Sequence, residues 1–277
     1  MDNPPFIAQA GFRSVRCGGR LVMRRLFVAI FFLSTALLAA DSQNFAFRAD
    51  KALQAGKFAK ANGLYERALL SSRKESDIVS EGRILISMAT LRVQSLDLNM
   101  AEDLLKLVRK SDLDTNTLGA YYLAWMELYL EEENYDKVID IKYSLSEKFL
   151  KEIPGGLLGS ILNVAAMAFA GKGDAQNARL YLKDADDALD GEAPGKMAFA
   201  SARVAHLLQD DAADSLYDVA LKSAVRSHRP FMSATILYYR GLNEKRPDIA
   251  RDYFVRSANA FELMGLRRNS ERAKAGR

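Results

Sequence analysis

From Asp41 onward the apolar residues recur at helical spacing, as in Ala61, Leu64, Tyr65, Ala68 and Leu69, or Ile161, Leu162, Ala165, Ala166 and Phe169. Nowhere do they alternate in the sustained way that a strand requires, so the pattern predicts a nearly all-helical protein. Pro154, Pro194, Pro230 and Pro247 all fall between periodic segments, where a missing N–H at a first helical turn costs nothing. Glycines punctuate in the same way at Gly56, Gly155, Gly156, Gly173, Gly191 and Gly195. These breaks divide the chain into about twelve helices in pairs: 43–55 with 58–72, 76–95 with 98–110, 115–132 with 135–149, 156–171 with 174–190, 195–208 with 211–227, and 231–243 with 247–266.

The pairs repeat. A residue early in each second helix, Ala61, Ala101, Val138, Ala178, Ala213 and Ala250, returns at separations of 40, 37, 40, 35 and 37. Four positions later stand Tyr65, Leu105, Lys142, Leu182, Tyr217 and Phe254, and seven later Ala68, Val108, Leu145, Ala185, Ala220 and Ser257. Twelve positions earlier come Ala49, Ala89, Met126, Ala166, Ser201 and Tyr238. Small residues let the two helices of a hairpin approach closely, and the large one fills the space against the next hairpin. With these residues in place the chain resembles the tetratricopeptide repeat family, in a degenerate form whose spacing exceeds the usual ~34 residues. Phe45–Ala68 and Leu162–Ala185 are the best units, whereas Val138 and Lys142 depart from the pattern.

The resemblance implies an all-α, right-handed superhelix of about six hairpins over 41–266, whose first helices line a concave groove. Such grooves hold extended or amphipathic helical segments of partner proteins. The family's groove positions fall here on Arg83, Ile86, Thr90, Leu123, Glu127, Asn163, Met167 and Tyr239. Arg83 is the only strong cation among them, which disfavours a clamp for a partner's terminal carboxylate and favours an apolar or amphipathic segment. Coverage of the groove by neighbouring hairpins or by the chain's own end is the competing expectation.

Leu26 to Ala40 is an uncharged run of fifteen residues behind Arg24 and Arg25 and ahead of Asp41 and Ser42. It is shorter than the ~20 apolar residues of a spanning helix and matches the core of a secretory signal. Residues 23–40 therefore read as a signal peptide, cut after Ala40 or Ala39, with an uncleaved inner-membrane anchor as the lesser reading. Residues 1–22 read as an upstream extension, with Met23 an alternative start. Cys17, the only cysteine, lies in that extension, so a mature chain from Asp41 has no disulfide and no thiol chemistry. The expected address is exported, periplasmic or extracellular.

Across 277 residues, 49% apolar and 27% charged, the composition is that of a globular protein, with a formal net charge of +4. Residues 1–40 hold five arginines against one acid, which leaves 39 − 5 = 34 basic and 35 − 1 = 34 acidic side chains, so the remainder is neutral. That balance excludes a general nucleic-acid binder. Residues 267–277 form a basic tail, Arg267, Arg268, Arg272, Lys274 and Arg277 against Glu271, read as solvated or in weak contact with an envelope membrane. Catalytic ingredients are scarce. His206 and His228 are the only histidines, and the glycine pair Gly171 and Gly173 around Lys172 fails the phosphate-loop pattern. Glu131–Glu133 and Asp184, Asp186 and Asp187 read as helix-end and solvated acids, and Tyr121, Tyr122, Trp125, Tyr129 and Tyr135 as packing. The sequence is thus read as a non-enzymatic interaction scaffold without cofactor or metal. The alternative is a carbohydrate-binding protein or hydrolase using Glu127, Glu131 and the aromatics of the third hairpin.

Overall fold

In the computed structural model, which describes residues 41–276 apart from residue 192, fourteen α-helices follow one another and no strand occurs among the described residues. They are α1 (41–54), α2 (Phe58–Glu75), α3 (Ile78–Gln94), α4 (Leu98–Lys106), α5 (Thr115–Glu131), α6 (Tyr135–Ser144), α7 (Glu147–Glu152), α8 (Gly155–Gly171), α9 (Ala175–Leu189), α10 (Pro194–Leu207), α11 (Ala213–Arg226), α12 (Pro230–Asn243), α13 (Pro247–Leu263) and α14 (Arg267–Ala275). The extension, the signal segment and Cys17 lie outside the described residues, as does Arg277. Among the described residues no helix is long and apolar enough to cross a membrane.

The first five hairpins turn by one device. Gly56, Leu96, Glu133, Gly173 and Gln209 each adopt a left-handed backbone, with φ of 72°, 57°, 56°, 78° and 56°. The N–H that follows each one bonds back to a carbonyl five residues earlier: Lys57 to Ala52, Asp97 to Arg92, Asn134 to Tyr129, Asp174 to Phe169 and Asp210 to Ala205, all at 2.8–2.9 Å. This closes the orphan carbonyls of the first helix and aims the chain into the second. Only two of the five positions are glycine, although L side chains lose about 1–2 kcal/mol in that conformation. Gly56 is also pressed against the last hairpin, where an added Cβ would stand 2.8 Å from Pro230 Cγ and 2.9 Å from Met264 Sδ. Gly56→Ala is therefore expected to cost at least about 1 kcal/mol and Gln209→Gly, at an exposed turn, to gain about 0.5–1 kcal/mol, both read from urea unfolding midpoints.

Twelve of the fourteen repeat-packing positions are buried: Ala49, Ala61, Tyr65, Ala68, Ala89, Ala101, Ala166, Ala178, Ala185, Ala213, Tyr217 and Phe254. Leu182 and Ala250 are half-buried. Helix pairs pack as α3 on α4, α5 on α6, α8 on α9, α10 on α11 and α12 on α13, and the first helices pack in series, α3 on α5, α5 on α8, α8 on α10 and α10 on α12. The result is an all-α solenoid of consecutive hairpins. α8 lies at its middle, and all ten residues from Ile161 to Ala170 are buried, as expected of a helix apolar on every side.

Three features depart from the sequence expectation or from the repeat pattern. The helix expected over 135–149 breaks into α6 and α7, because Leu145 turns inward to burial in an extended conformation and Ser146 accepts a bond from Phe149 N–H to start α7. In the same unit Lys142 stands where the repeat wants a large apolar residue, and its Nζ lies 4.8 Å above the Tyr181 ring that stacks on Phe169. The third departure is the solvated basic tail. Residues 267–275 form α14, which packs on α13 and buries Asn269, Ser270 and Ala273.

The stack also closes on itself. Phe58 of α2 meets Phe231 of α12 at 5.4 Å between ring centroids, and Phe231 meets Phe261 of α13 at 5.9 Å. Phe261, Ala234 and Leu266 belong to the same buried core as Phe58, Ala61 and Leu64. α14 then ties back to the second and third hairpins: Arg268 donates to Leu96 O at 2.9 Å and pairs with Asp97, Asn269 Nδ2 donates to Gln94 O at 3.0 Å, and Arg272 pairs with Glu131.

Candidate functional site

Two cavities lie along the inner face of the stack, a chamber beside α14 and a shallower groove toward α1. The chamber has a volume of about 430 Å³ and is walled by the inward faces of α3, α5, α8, α10 and α12, with α14 across one end. Helical spacing brings its residues together: Glu127, Leu130 and Glu131 from α5; Val164 and Met167 from α8; Phe199, Arg203 and His206 from α10; Thr235, Tyr238, Tyr239 and Leu242 from α12. The wall is apolar along α8 and polar toward α10, α12 and α14.

The charged groups in the wall are in different states. Glu131 is held by Arg272, whose guanidinium also lies 4.5 Å over the Tyr238 ring. Arg203 has no carboxylate within ion-pair distance among the described residues; it stacks 3.6 Å over Tyr239, with His206 Nδ1 at 3.4 Å and the Tyr217 hydroxyl against it. His206 Nδ1 hydrogen-bonds with Tyr217 Oη at 2.9 Å, and burial followed by the charge of Arg203 drives its pKa down to about 4, so the imidazole is neutral. Burial pushes the Glu127 carboxyl up to about 7, with Lys196 opposing weakly. Three wall atoms, Thr235 Oγ1, Asn269 Oδ1 and Arg272 Nε, are buried without a hydrogen-bond partner among the described residues.

The Glu127 shift has a measurable sign. Between its unfolded value near 4.5 and its folded value near 7 the native state keeps a proton that the unfolded chain has lost, so this group's contribution to stability falls as pH rises through that window. His206 works the other way, adding stability as pH rises from about 4 to 6.5. Comparison of wild type with Glu127→Gln isolates the first effect. Urea unfolding is expected to show the variant gaining on the wild type by about 3 kcal/mol between pH 4 and pH 8.

The open groove crosses the starts of three helices. A cleft of about 570 Å³ is lined by Arg83, Ile86 and Ser87 of α3 and by Thr115, Thr117 and Ala120 of α5, and it adjoins a smaller one at Ala46, Phe47 and Asp50 of α1 through the shared Arg83. Asp114 fixes this rim: its carboxylate accepts from Thr117 N–H at 2.8 Å and from Thr117 Oγ1 at 3.0 Å, capping α5, and pairs with Arg83 at 3.4 Å. The Thr117 backbone bond is the main cause that holds Asp114 below the usual carboxylate range. Tyr65 Oη donates to Asp50 beneath the α1 end.

The eight expected groove residues are therefore split. Arg83 and Ile86 line the open groove, whereas Glu127, Met167 and Tyr239 line the chamber. Thr90 and Leu123, one turn further along α3 and α5 from the open cleft, are half-buried and line neither cavity. Asn163 is buried in α8, lines neither cavity, and has Oδ1 unpartnered among the described residues. The third hairpin's aromatics mostly pack: Trp125 stacks on Tyr129 at 5.4 Å, Tyr121 meets Trp125 edge-on, and Tyr122 meets Phe149 across α7. Only Tyr135 reaches the chamber wall, lying over Gly171, where an added Cβ would come within 2.4 Å of the ring. Gly173 serves the hairpin turn, and Lys172 pairs with Asp136. His228 is an exposed left-handed turn residue, and Asp184, Asp186 and Asp187 are solvated on α9.

Sequence reasoning passed over Arg203 and Asn269, and took Arg272 only as part of the basic tail. For Arg203 a signal existed: a cation at i to His206 at i+3 inside the otherwise apolar ARVAHLL of α10. Among the described residues no group of three or more His, Cys, Asp or Glu is placed to hold a metal ion. A scan against protein-family models finds no match to the chain, and a search of curated proteins finds none either.

Proposed function

We propose that the chain is an exported, tetratricopeptide-like interaction protein that acts as a scaffold or adaptor in the cell envelope, without catalysis. Its partner is an extended or amphipathic helical segment lying in the open groove across α1, α3 and α5. The observation that supports this reading is a preformed cleft across α3 and α5 that adjoins one on α1, with Phe47 57% exposed beside it and Arg83 exposed where the two meet. An exposed aromatic and a flexible cation at the rim of a preformed cleft are the elements that anchor a partner segment. The combined change Phe47→Ser and Arg83→Gln removes only exposed side chains and one exposed ion pair, so it is expected to weaken capture of the native partner at least about tenfold and leave the unfolding free energy within about 1 kcal/mol of wild type. Capture at wild-type strength by a folded variant contradicts the reading. Export is tested separately, by N-terminal sequencing of the cell-derived protein, with a start near Asp41 expected.

One observation favours the second reading, a carbohydrate-binding protein or hydrolase. Glu127 has its carboxyl near neutrality in the chamber that Glu131 also lines, and a proton held near pH 7 suits a general acid. In that case oligosaccharide turnover is present in the wild type and falls by about 10²-fold or more in Glu127→Gln.

A further inference from the structure

Apart from the open groove, the chamber is itself built as a site, and we propose that it binds a free organic acid, a carboxylate carried on a compact apolar body, with Arg203 as the anion's anchor. Each of the other half-buried arginines facing inward or between hairpins has an acid: Arg272 has Glu131, and Arg240 has Asp214 and Asp218. Arg203 has none among the described residues, although it is more buried than Arg272 and lies against the Tyr239 ring on one side. An unpaired charge held away from water is costly, and an arriving carboxylate relieves that cost with charge-assisted bonds to a planar fork of donors. The neighbours leave the position cationic, because His206 is neutral and the hydroxyls of Tyr217 and Tyr239 are far from ionising in neutral solution.

The rest of the wall defines the body of the ligand. Beside Arg203 the lining offers Phe199, Met167, Val164 and Leu130 as apolar surface, with Glu127, Glu131 and Glu133 as its acids. A volume of about 430 Å³ falls within the ~300–1,000 Å³ typical of small-ligand sites. Because α14 closes one end through Asn269 and Arg272, the chamber suits a whole small molecule better than a passing segment of chain. The three acids of the wall, Glu127, Glu131 and Glu133, disfavour a second negative charge, so a monocarboxylate fits better than a dicarboxylate.

The test is calorimetry and thermal denaturation of the full chain with 3-phenylpropionate, its neutral amide, succinate, and acetyl-Leu-Phe with a free carboxylate. The wild type is expected to bind 3-phenylpropionate at least about tenfold more tightly than the amide or succinate. Arg203→Gln abolishes that preference. Met232→Trp, which fills the chamber from α12 without touching the anchor, lowers affinity for acid and amide alike. Both variants are checked for native circular dichroism, and the chamber-filling variant provides the test if Arg203→Gln does not fold. Equal binding of acid and amide, no binding of any acid up to 10 mM (about −2.7 kcal/mol), or wild-type affinity in Met232→Trp overturns the proposal. Binding of acetyl-Leu-Phe more than tenfold tighter than 3-phenylpropionate overturns the free acid as occupant and assigns the anchor to a chain terminus.

Discussion

Phe261→Ala is expected to lower the unfolding free energy by about 3–5 kcal/mol, the largest single-residue effect in the molecule. Phe261 is fully buried and lies at the junction where the last hairpin meets the first, against Phe231 and in one core with Phe58, Leu64 and Leu266. Its truncation removes a large apolar area and leaves a cavity that the rigid ends of two hairpins cannot collapse to fill. The consequence differs from that of an interior truncation of similar size. Loss of Phe261 weakens the contact that holds the ring shut, so amide exchange in α1 and α2, far away in sequence, should speed up with that in α13. A control truncation at Ile161, buried in α8 at the middle of the stack, should cost about 2–5 kcal/mol and leave the exchange pattern of the junction close to wild type relative to global stability. Comparable exchange profiles for the two variants contradict ring closure.

Arg272→Glu carries the second large effect, about 3–4 kcal/mol of destabilisation. The substitution sets a carboxylate against Glu131 in the half-buried space beside Tyr238 and Tyr239, and it removes the cation from the Tyr238 face. Leaving one charge of such a pair without its partner is expensive, and placing a like charge beside it adds to the cost. The reversed pair, Glu131→Arg with Arg272→Glu, should recover at least about half of the loss in a double-mutant cycle. Arg267→Glu is the internal contrast. Its partner Glu271 is one turn away on the exposed face of α14, so its replacement should change stability by less than about 0.5 kcal/mol. Equal effects for the two arginines would mean that α14 is not docked.

Most of the fold is readable in the chain because the repeat is written in side-chain size. Ala49, Ala61 and Ala68, or Ala166, Ala178 and Ala185, mark where backbones touch, and Tyr65 and Tyr217 mark where hairpins mesh; all eight are buried. The ring is not readable in that way. Closure is the sum of small rotations between successive hairpins, and no local pattern reports a sum. The chamber inherits this difficulty, since its wall joins Val93 of α3 to Arg272 of α14. α14 was obscured by its own charge. Exposed Arg267, Arg268 and Lys274 dominate the segment, while Leu266, Ser270 and Ala273, spaced four and three apart, form the narrow stripe that is buried. The acids that receive its arginines, Asp97 and Glu131, lie in earlier hairpins at a turn and a helix end, so their pairing is set by the curvature of the stack.

The groove reading depends on where a partner touches the protein in its own cells, and a photocrosslinking residue placed at one position at a time measures this directly. Arg83 represents the open groove, Met232 the chamber, and Leu263, 90% exposed, an unrelated surface. The account predicts one discrete protein adduct from position 83, none from 232, and at most diffuse background from 263. The same adduct from position 263, or no adduct from 83 while 263 yields one, would contradict the claim that the uncovered part of the concave face is the binding surface.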